Sequence, residues 1–234
     1  MNSFDTLANV TPDMIVEYPF PHIVISNALA PDVYQKLDAV FPLDSMVHDG
    51  STDFQSRRYP HNEWQDVDPI WNDFHRYHDS IEFKDKILDF FKKFIDPDKY
   101  ARYHSSSHCE AIKNWTTFTV NGLSEIRVQT PHLDHAGNLY VGLLYMRDSE
   151  DFSTGGDLEI YESAVDKIEF GPYRKPKLEH IHLHTTVPYK ANTMVWMLTG
   201  SRSIHGASSR IGATKFRKYV NINTRVSVLA HAYQ

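Results

Sequence analysis

The chain has 234 residues, 41% of them hydrophobic and 23% charged, the profile of a globular protein able to bury a substantial core without staples. A net charge of −6 argues against the broad basic field that nucleic acid or an anionic membrane surface would need, and a single cysteine, Cys109, rules out an intramolecular disulfide and cysteine-based zinc or iron–sulfur sites. Met1 to Pro12 lacks a secretory pattern and no apolar run approaches the roughly 18 residues of a membrane span, so the expected setting is the cytoplasm, with no membrane partner.

Taken along the chain, Tyr18–Ser26 (YPFPHIVIS) reads as a short strand. Pro31 then opens a helix on which Val33, Leu37, Val40 and Phe41 recur at helical spacing. Gly50–Asp68 is polar, aromatic and irregular, a loop that could cover a site. A second helix is expected from Asp79 to about Phe94, with Ile81, Ile87, Leu88, Phe90, Phe91 and Phe94 as its apolar stripe and Pro97 as its stop.

Near residue 110 the chain changes character. Thr116–Val120 runs into Asn121-Gly122, a hairpin turn signal. Further strands are expected at Glu125–Thr130, Leu139–Met146, Leu158–Glu162, His180–Val187, Thr193–Leu198 and Phe216–Val228. The fold expected is α+β and mainly β: a double-stranded β-helix, or jelly roll, with a helical N-terminal region packed outside one sheet. We expect a single domain over 1–234, with a helix-rich region over 1–109 and the β core over 110–234.

Histidine, of which there are fourteen, is the residue that carries information. On an extended segment, residues two apart share a face, so His132 and Asp134 of Pro131-His-Leu-Asp134 can converge on one metal ion. His-x-Asp alone is a weak signal that by itself reads more readily as a surface turn. A third ligand must come from a distant strand. Two imidazoles and a carboxylate leave open positions on an octahedral ion, which suits Fe(II); a structural zinc site would be closed. Seventy-one residues after Asp134, the apolar run Thr193–Leu198 leads through a small-residue turn to a lone His205, and the basic segment Lys215-Phe-Arg217-Lys follows. Between the two lies Thr154-Gly-Gly-Asp-Leu158, a turn and strand too short to be a phosphate loop.

The order PHLDH around His132, LLYMRD at 143–148, STGGDLEIY at 153–161 and SIHGAS at 203–208, followed by a basic strand, resembles the 2-oxoglutarate/Fe(II) oxygenase superfamily, prolyl-hydroxylase-like branch, over about residues 110–228. The resemblance implies a metal triad of His132, Asp134 and His205. It implies a basic residue on the strand after His205 that pairs with the far carboxylate of 2-oxoglutarate. Lys215 stands at the family spacing, and Arg217, with Tyr219 and Asn221 continuing its face, is favoured for its bidentate fork. Tyr145 falls where the branch often bonds the same carboxylate, or is a core aromatic. Where relatives carry a tyrosine before the first His, this chain has Arg127 and Gln129, which could touch a ligand or form barrel wall. Retention of Asp134 favours hydroxylation over halogenation. The implied cofactors are Fe(II) and 2-oxoglutarate, with O₂ as cosubstrate and ascorbate as a supporting reductant.

The implied reaction is hydroxylation of an unactivated C–H on an amino-acid, peptidyl (prolyl among them) or other small substrate, with 2-oxoglutarate converted to succinate and CO₂. Two alternatives stay open. One is a zinc hydrolase or lyase using His180, His182 and His184, three histidines at alternate positions of one strand. The other is a non-catalytic jelly-roll binding module. His61, His75, His78, His104 and His108 are expected at the surface, one or two of them lining the mouth of the site, Cys109 as a small buried residue, and Arg57-Arg58 as a solvated pair or a grip on an acidic substrate. Trp64, Trp71 and Phe74 are candidates for a homodimer interface.

Overall fold

The computed structural model describes residues 2–104, 112–124, 127–135, 137–171 and 174–226; His108 and Cys109, the first residues of the strand expected at Glu125, and the last of the strand expected to end at Val228 lie outside them. Two antiparallel sheets face each other. The larger runs in the order β1 (His22–Ser26), β9 (Thr193–Leu198), β5 (Tyr140–Tyr145), β11 (Arg217–Val226), β3 (Ile112–Asn121), β2 (Arg57–Pro60). The smaller runs β4 (Arg127–His132), β10 (His205–Ile211), β7 (Leu158–Ser163), β8 (Ile181–Val187), with the short β6 (Thr154–Gly155) paired to the far end of β10. This is the jelly-roll architecture that the alternating strands imply.

Each face of the larger sheet has its own core. β5 and β9 are buried at every position, as an apolar run flanked on both sides demands. Phe118, Val120, Leu144, Met194, Trp196, Val220 and Ile222 face the helices. Val141, Leu143, Tyr145, Val195 and Met197 face Leu158, Ile160 and Val187 of the smaller sheet.

The helical layer is α1 (Pro31–Ala39), α2 (Leu43–Met46), α3 (Pro69–His78), α4 (Ile81–Phe91) and α5 (Pro97–His104). α1 has Pro31 at its first position. α3 is capped by Asp68, whose side chain accepts from Ile70 N, and α4 by Ser80, whose hydroxyl accepts from Phe83 N. Trp71, Phe74, Phe83 and Phe91 are fully buried beneath this layer, where truncation of such a side chain costs about 3–5 kcal/mol.

Several expectations are corrected here. Pro97 does not merely stop a helix; it opens α5, α4 having ended at Phe91. Trp71 and Phe74 are core, not interface, because α3 turns them onto the sheet. His78 is buried as well, its Nδ1 donating to Phe74 O (2.9 Å), and His75 is half-buried against Thr116 Oγ1 (2.9 Å). Asn121-Gly122 does not turn a hairpin, since β3 pairs with β11 and β2 while β4 belongs to the other sheet. Gly122 serves a close approach instead: its N–H donates to Phe54 O, and a Cβ there would lie 2.4 Å from that oxygen. No helix among the described residues is long and apolar enough to cross a membrane.

Candidate metal centre

His132 ends β4 and His205 begins β10, and the antiparallel pairing sets them directly opposite each other. Directly opposed residues share a face, and the two ring centroids are 4.5 Å apart. Asp134, two residues beyond His132, returns to the same side: Oδ1 lies 3.7 Å from His132 Nε2 and Oδ2 lies 3.6 Å from His205 Nε2. The candidate ligand atoms of the three side chains lie within 4.8 Å of one another, and no other group of three His, Cys, Asp or Glu among the described residues does so.

Each imidazole is tethered to the backbone two residues earlier. His132 Nδ1 is 3.0 Å from Thr130 O, and His205 Nδ1 is 2.9 Å from Ser203 O. A carbonyl oxygen can only accept, so both Nδ1 atoms carry a proton, and in the neutral tautomer Nε2 is the atom that presents a lone pair. Those lone pairs face Asp134 at distances too long for hydrogen bonds, and Asp134 Oδ2 is buried without a hydrogen-bond partner. Such an arrangement repels itself unless a cation or a shared proton lies among the three. The donor set, two nitrogens and one carboxylate, is the one that suits non-haem Fe(II). Burial and the adjacent His205 push the His132 pKa down to about 4. The ring is therefore neutral near pH 7, as a metal ligand must be.

A bulge in the β4–β10 ladder between His205 and Ala207 aims His205. Gly206 sits in it. A Cβ there would lie 2.9 Å from Gln129 O and 3.2 Å from Pro131 N, so any side chain would push β10 away from β4.

The triad opens into a cavity of about 480 Å³ between the two sheets. Arg217, Tyr219, Asn221 and Asn223, alternate residues of β11, form one wall, and Val141 and Leu143 of β5 continue it. Arg217 is almost fully buried, its Nε donating to Gly156 O (2.8 Å) and its Nη1 to Asn121 Oδ1 (3.2 Å). The rings of Tyr145, Tyr189 and Tyr219 surround its guanidinium at 5.2, 4.8 and 4.7 Å. Tyr145 is fully buried one row deeper, opposite Tyr219; among the described residues neither its hydroxyl nor Asn221 Oδ1 has a hydrogen-bond partner. Burial pushes the Tyr145 pKa up to about 12 against the lowering pull of Arg217, so the hydroxyl stays a donor at neutral pH.

Lys215 is not part of this wall. It precedes β11, reaches outward and pairs with Glu150 at 2.7 Å. Arg210 is buried in a different contact, bonded to Asp151 Oδ2 (3.0 Å), Ser153 Oγ and Lys215 O. Gln129 lines the cavity; the side chain of Arg127 lies outside the described residues. His180, His182 and His184 do not converge. His180 accepts from Glu169 N, while His182 and His184, on the edge strand β8, pair with Glu162 at 3.4 and 3.3 Å. Sequence reasoning missed Asn121, Tyr189 and Asn223. Asn121 stood in an apparent hairpin turn, and nothing in Thr-Val-Pro-Tyr189 marks a residue that packs on Arg217.

No protein-family model matches the chain, and no curated protein sequence does. Among solved structures, a prolyl-4-hydroxylase from Pseudomonas putida aligns over 96% of this chain and 97% of its own, at 12% identity and a TM-score of 0.50. The chain has that enzyme's fold. Weaker likenesses are a prolyl hydroxylase from Trichoplax adhaerens, solved with a hypoxia inducible factor oxygen degradation domain peptide fragment (TM-score 0.49, 8% identity, 91% of this chain and 87% of that one), and HygX from Streptomyces hygroscopicus, solved with nickel and 2-oxoglutarate (TM-score 0.47, 9% identity, 88% and 83%). The prolyl-hydroxylase fold is the one the sequence resemblance implied.

Proposed function

We propose that this chain is an Fe(II)- and 2-oxoglutarate-dependent oxygenase that hydroxylates an unactivated C–H of an amino-acid, peptidyl (prolyl among them) or other small substrate. The observation that carries the reading is the pair of backbone-tethered imidazoles facing the unpartnered Asp134 carboxylate at the mouth of a cavity whose inner wall is cationic.

His132 Nε2, His205 Nε2 and the Asp134 carboxylate would hold the iron. When bound, iron and 2-oxoglutarate would supply the oxidising power, one oxygen atom of O₂ going to the substrate and the other to succinate as CO₂ is lost. Arg217, fixed by Gly156 O and Asn121, would bind the far carboxylate of 2-oxoglutarate, and the unpartnered Tyr145 hydroxyl would donate to it. The three tyrosine rings around Arg217 keep water from the guanidinium and raise the strength of that ion pair. Tethering through Nδ1 fixes both imidazoles before any ligand arrives, so binding does not have to order them. Val141, Leu143 and Leu158 supply an apolar lining that limits water near the reacting carbon.

The test is anaerobic titration of metal-free protein with Fe(II) and 2-oxoglutarate, followed by the visible charge-transfer absorption of the chelate. The band is expected in the wild type and is lost in Asp134→Ala. Its absence from wild-type protein would overturn the reading.

A further inference from the structure

Strand β2 carries two adjacent arginines that the fold puts to different uses. Arg57 stands opposite Val120 and is fully engaged: its guanidinium forks onto Asp49 (2.8 and 2.7 Å), donates to Met46 O (3.0 Å) and lies 4.4 Å over the Phe54 ring. Arg58 stands opposite Thr119, which in turn stands opposite Tyr219, which stands opposite Tyr145. Opposed residues share a face, so this row puts Arg58 on the cavity side of the sheet, at its edge. Arg58 does line the cavity, beside Ser56 and across from Gln129 and His132. Among the described residues no carboxylate pairs with it.

The charge balance of the cavity gives this free cation its meaning. Two guanidiniums, Arg217 and Arg58, line the space, and Asp134 is the one carboxylate among the described lining residues. Asp134 belongs to the triad and faces the two histidines, and Arg217 is almost fully buried with two of its donors already occupied. That leaves Arg58 with no anion to meet it among the described residues. Of the other polar lining groups, Gln129, Asn138 and Asn223 are neutral amides, Ser56 offers a hydroxyl and His135 an imidazole, and none of these is a carboxylate. They can bond a hydroxyl, carbonyl or amide of a ligand and offer nothing to balance an ammonium.

We propose that Arg58 is a specificity residue that takes the carboxylate of the substrate, and that the substrate is a small carboxylic acid whose nitrogen, if it has one, is uncharged: an N-acylated amino acid, a peptide C-terminus or a hydroxy acid. This rests on the oxygenase reading for the position of the reacting carbon, which must face the His132–Asp134–His205 triad while the carboxylate lies at Arg58. A planar fork of donors suits a carboxylate better than a point charge would. Arg58 thereby sets which molecule enters and in which direction, and Arg217 at the other end of the cavity holds the cosubstrate.

The experiment is calorimetric titration, under argon, of Fe(II)- and 2-oxoglutarate-loaded protein with N-acetyl amino acids, N-acetyl dipeptides and 2-hydroxy acids, each beside its primary amide. At least one acid is expected to bind, its amide about tenfold more weakly or worse, and Arg58→Gln is expected to remove the difference between acid and amide. Arg58→Lys should restore part of it. The exposed side chain makes loss of folding in Arg58→Gln an unexpected result, checked by an unchanged thermal midpoint. If no acid binds, if acid and amide bind alike, or if Arg58→Gln binds as wild type does, the proposal is overturned. It is also overturned if Arg58→Gln loses 2-oxoglutarate, since Arg58 would then belong to the cosubstrate site. Should wild-type protein fail to bind 2-oxoglutarate, the oxygenase reading falls, and the same acid and amide series on protein loaded with Fe(II) alone reads Arg58 separately.

Discussion

Among the described residues, two places bring two imidazoles to one carboxylate, and one of them has the geometry of a metal site. At the triad, His132, Asp134 and His205 have side chains 20, 18 and 8% exposed, and each imidazole is fixed by its own backbone through Nδ1. At the other, His182 and His184 are 56 and 33% exposed on an edge strand whose five inner positions all face solvent. There Glu162 also accepts the Tyr18 hydroxyl at 2.5 Å, so its charge is already shared. The Tyr18 contact and the neighbouring histidines draw the Glu162 pKa down. Composition does not distinguish the two clusters. Burial, a fixed tautomer and an unpartnered carboxylate oxygen do.

The largest expected effect breaks the comparison outright. Asp134→Ala or His132→Ala should lower Fe(II) affinity by more than the roughly 10- to 100-fold that follows loss of an outer hydrogen-bonding partner of a ligand. His182→Ala and His184→Ala should leave it unchanged, all four being read by metal titration under argon.

A third histidine setting sharpens the point. His78 is more deeply buried than any of the triad, yet its hydrogen-bonding neighbours are the Phe74 carbonyl and the Thr6 hydroxyl, and no carboxylate. Burial pushes its pKa down to about 4 from the usual 6.5. As pH falls below 6.5 the unfolded chain takes up a proton that the fold refuses, so stability is present above that pH and is lost progressively toward pH 4. The slope for such a group is roughly 1.4 kcal/mol per pH unit. Urea denaturation at several pH values between 7 and 4.5 should show it, and His78→Gln should make the profile shallower by that share, the depressed His75 and His132 keeping the rest.

Next in size, Arg217→Lys keeps the charge and loses the fork, and 2-oxoglutarate affinity should fall about tenfold by the same anaerobic titration. Tyr145→Phe has the smallest effect and the most informative sign. Removing an unpartnered buried hydroxyl should leave the ligand-free protein equally stable or about 1 kcal/mol more stable to urea, while 2-oxoglutarate binds several-fold more weakly. Loss of stability instead would mean that the hydroxyl has a structural partner.

Strands with apolar periodicity were legible in the sequence: β5 and β9, with every residue buried, announce themselves as runs of Leu, Val, Met and Tyr. The convergence of His132, Asp134 and His205 was legible because order and spacing carried it. What stayed hidden has physical reasons. β10 is His-Gly-Ala-Ser-Ser-Arg-Ile, small and polar, with no alternation to betray a strand bonded on both sides by β4 and β7. β2 is four residues, two of them arginine, and reads as loop. In α3, Trp71, Phe74 and Tyr77 hold a helical spacing, but the histidines and charges among them disguised a buried face. Lys215 matched a family spacing, yet only the structure shows that β11 begins two residues later, at Arg217.

The central claim is that the metal belongs to the buried cluster and not the exposed one. The most direct test is anomalous diffraction at the iron absorption edge from crystals soaked anaerobically with Fe(II) and 2-oxoglutarate. The account predicts a single strong peak among His132 Nε2, Asp134 and His205 Nε2, with 2-oxoglutarate density reaching toward Arg217. A peak at His182, His184 and Glu162, with none at the triad, would contradict it.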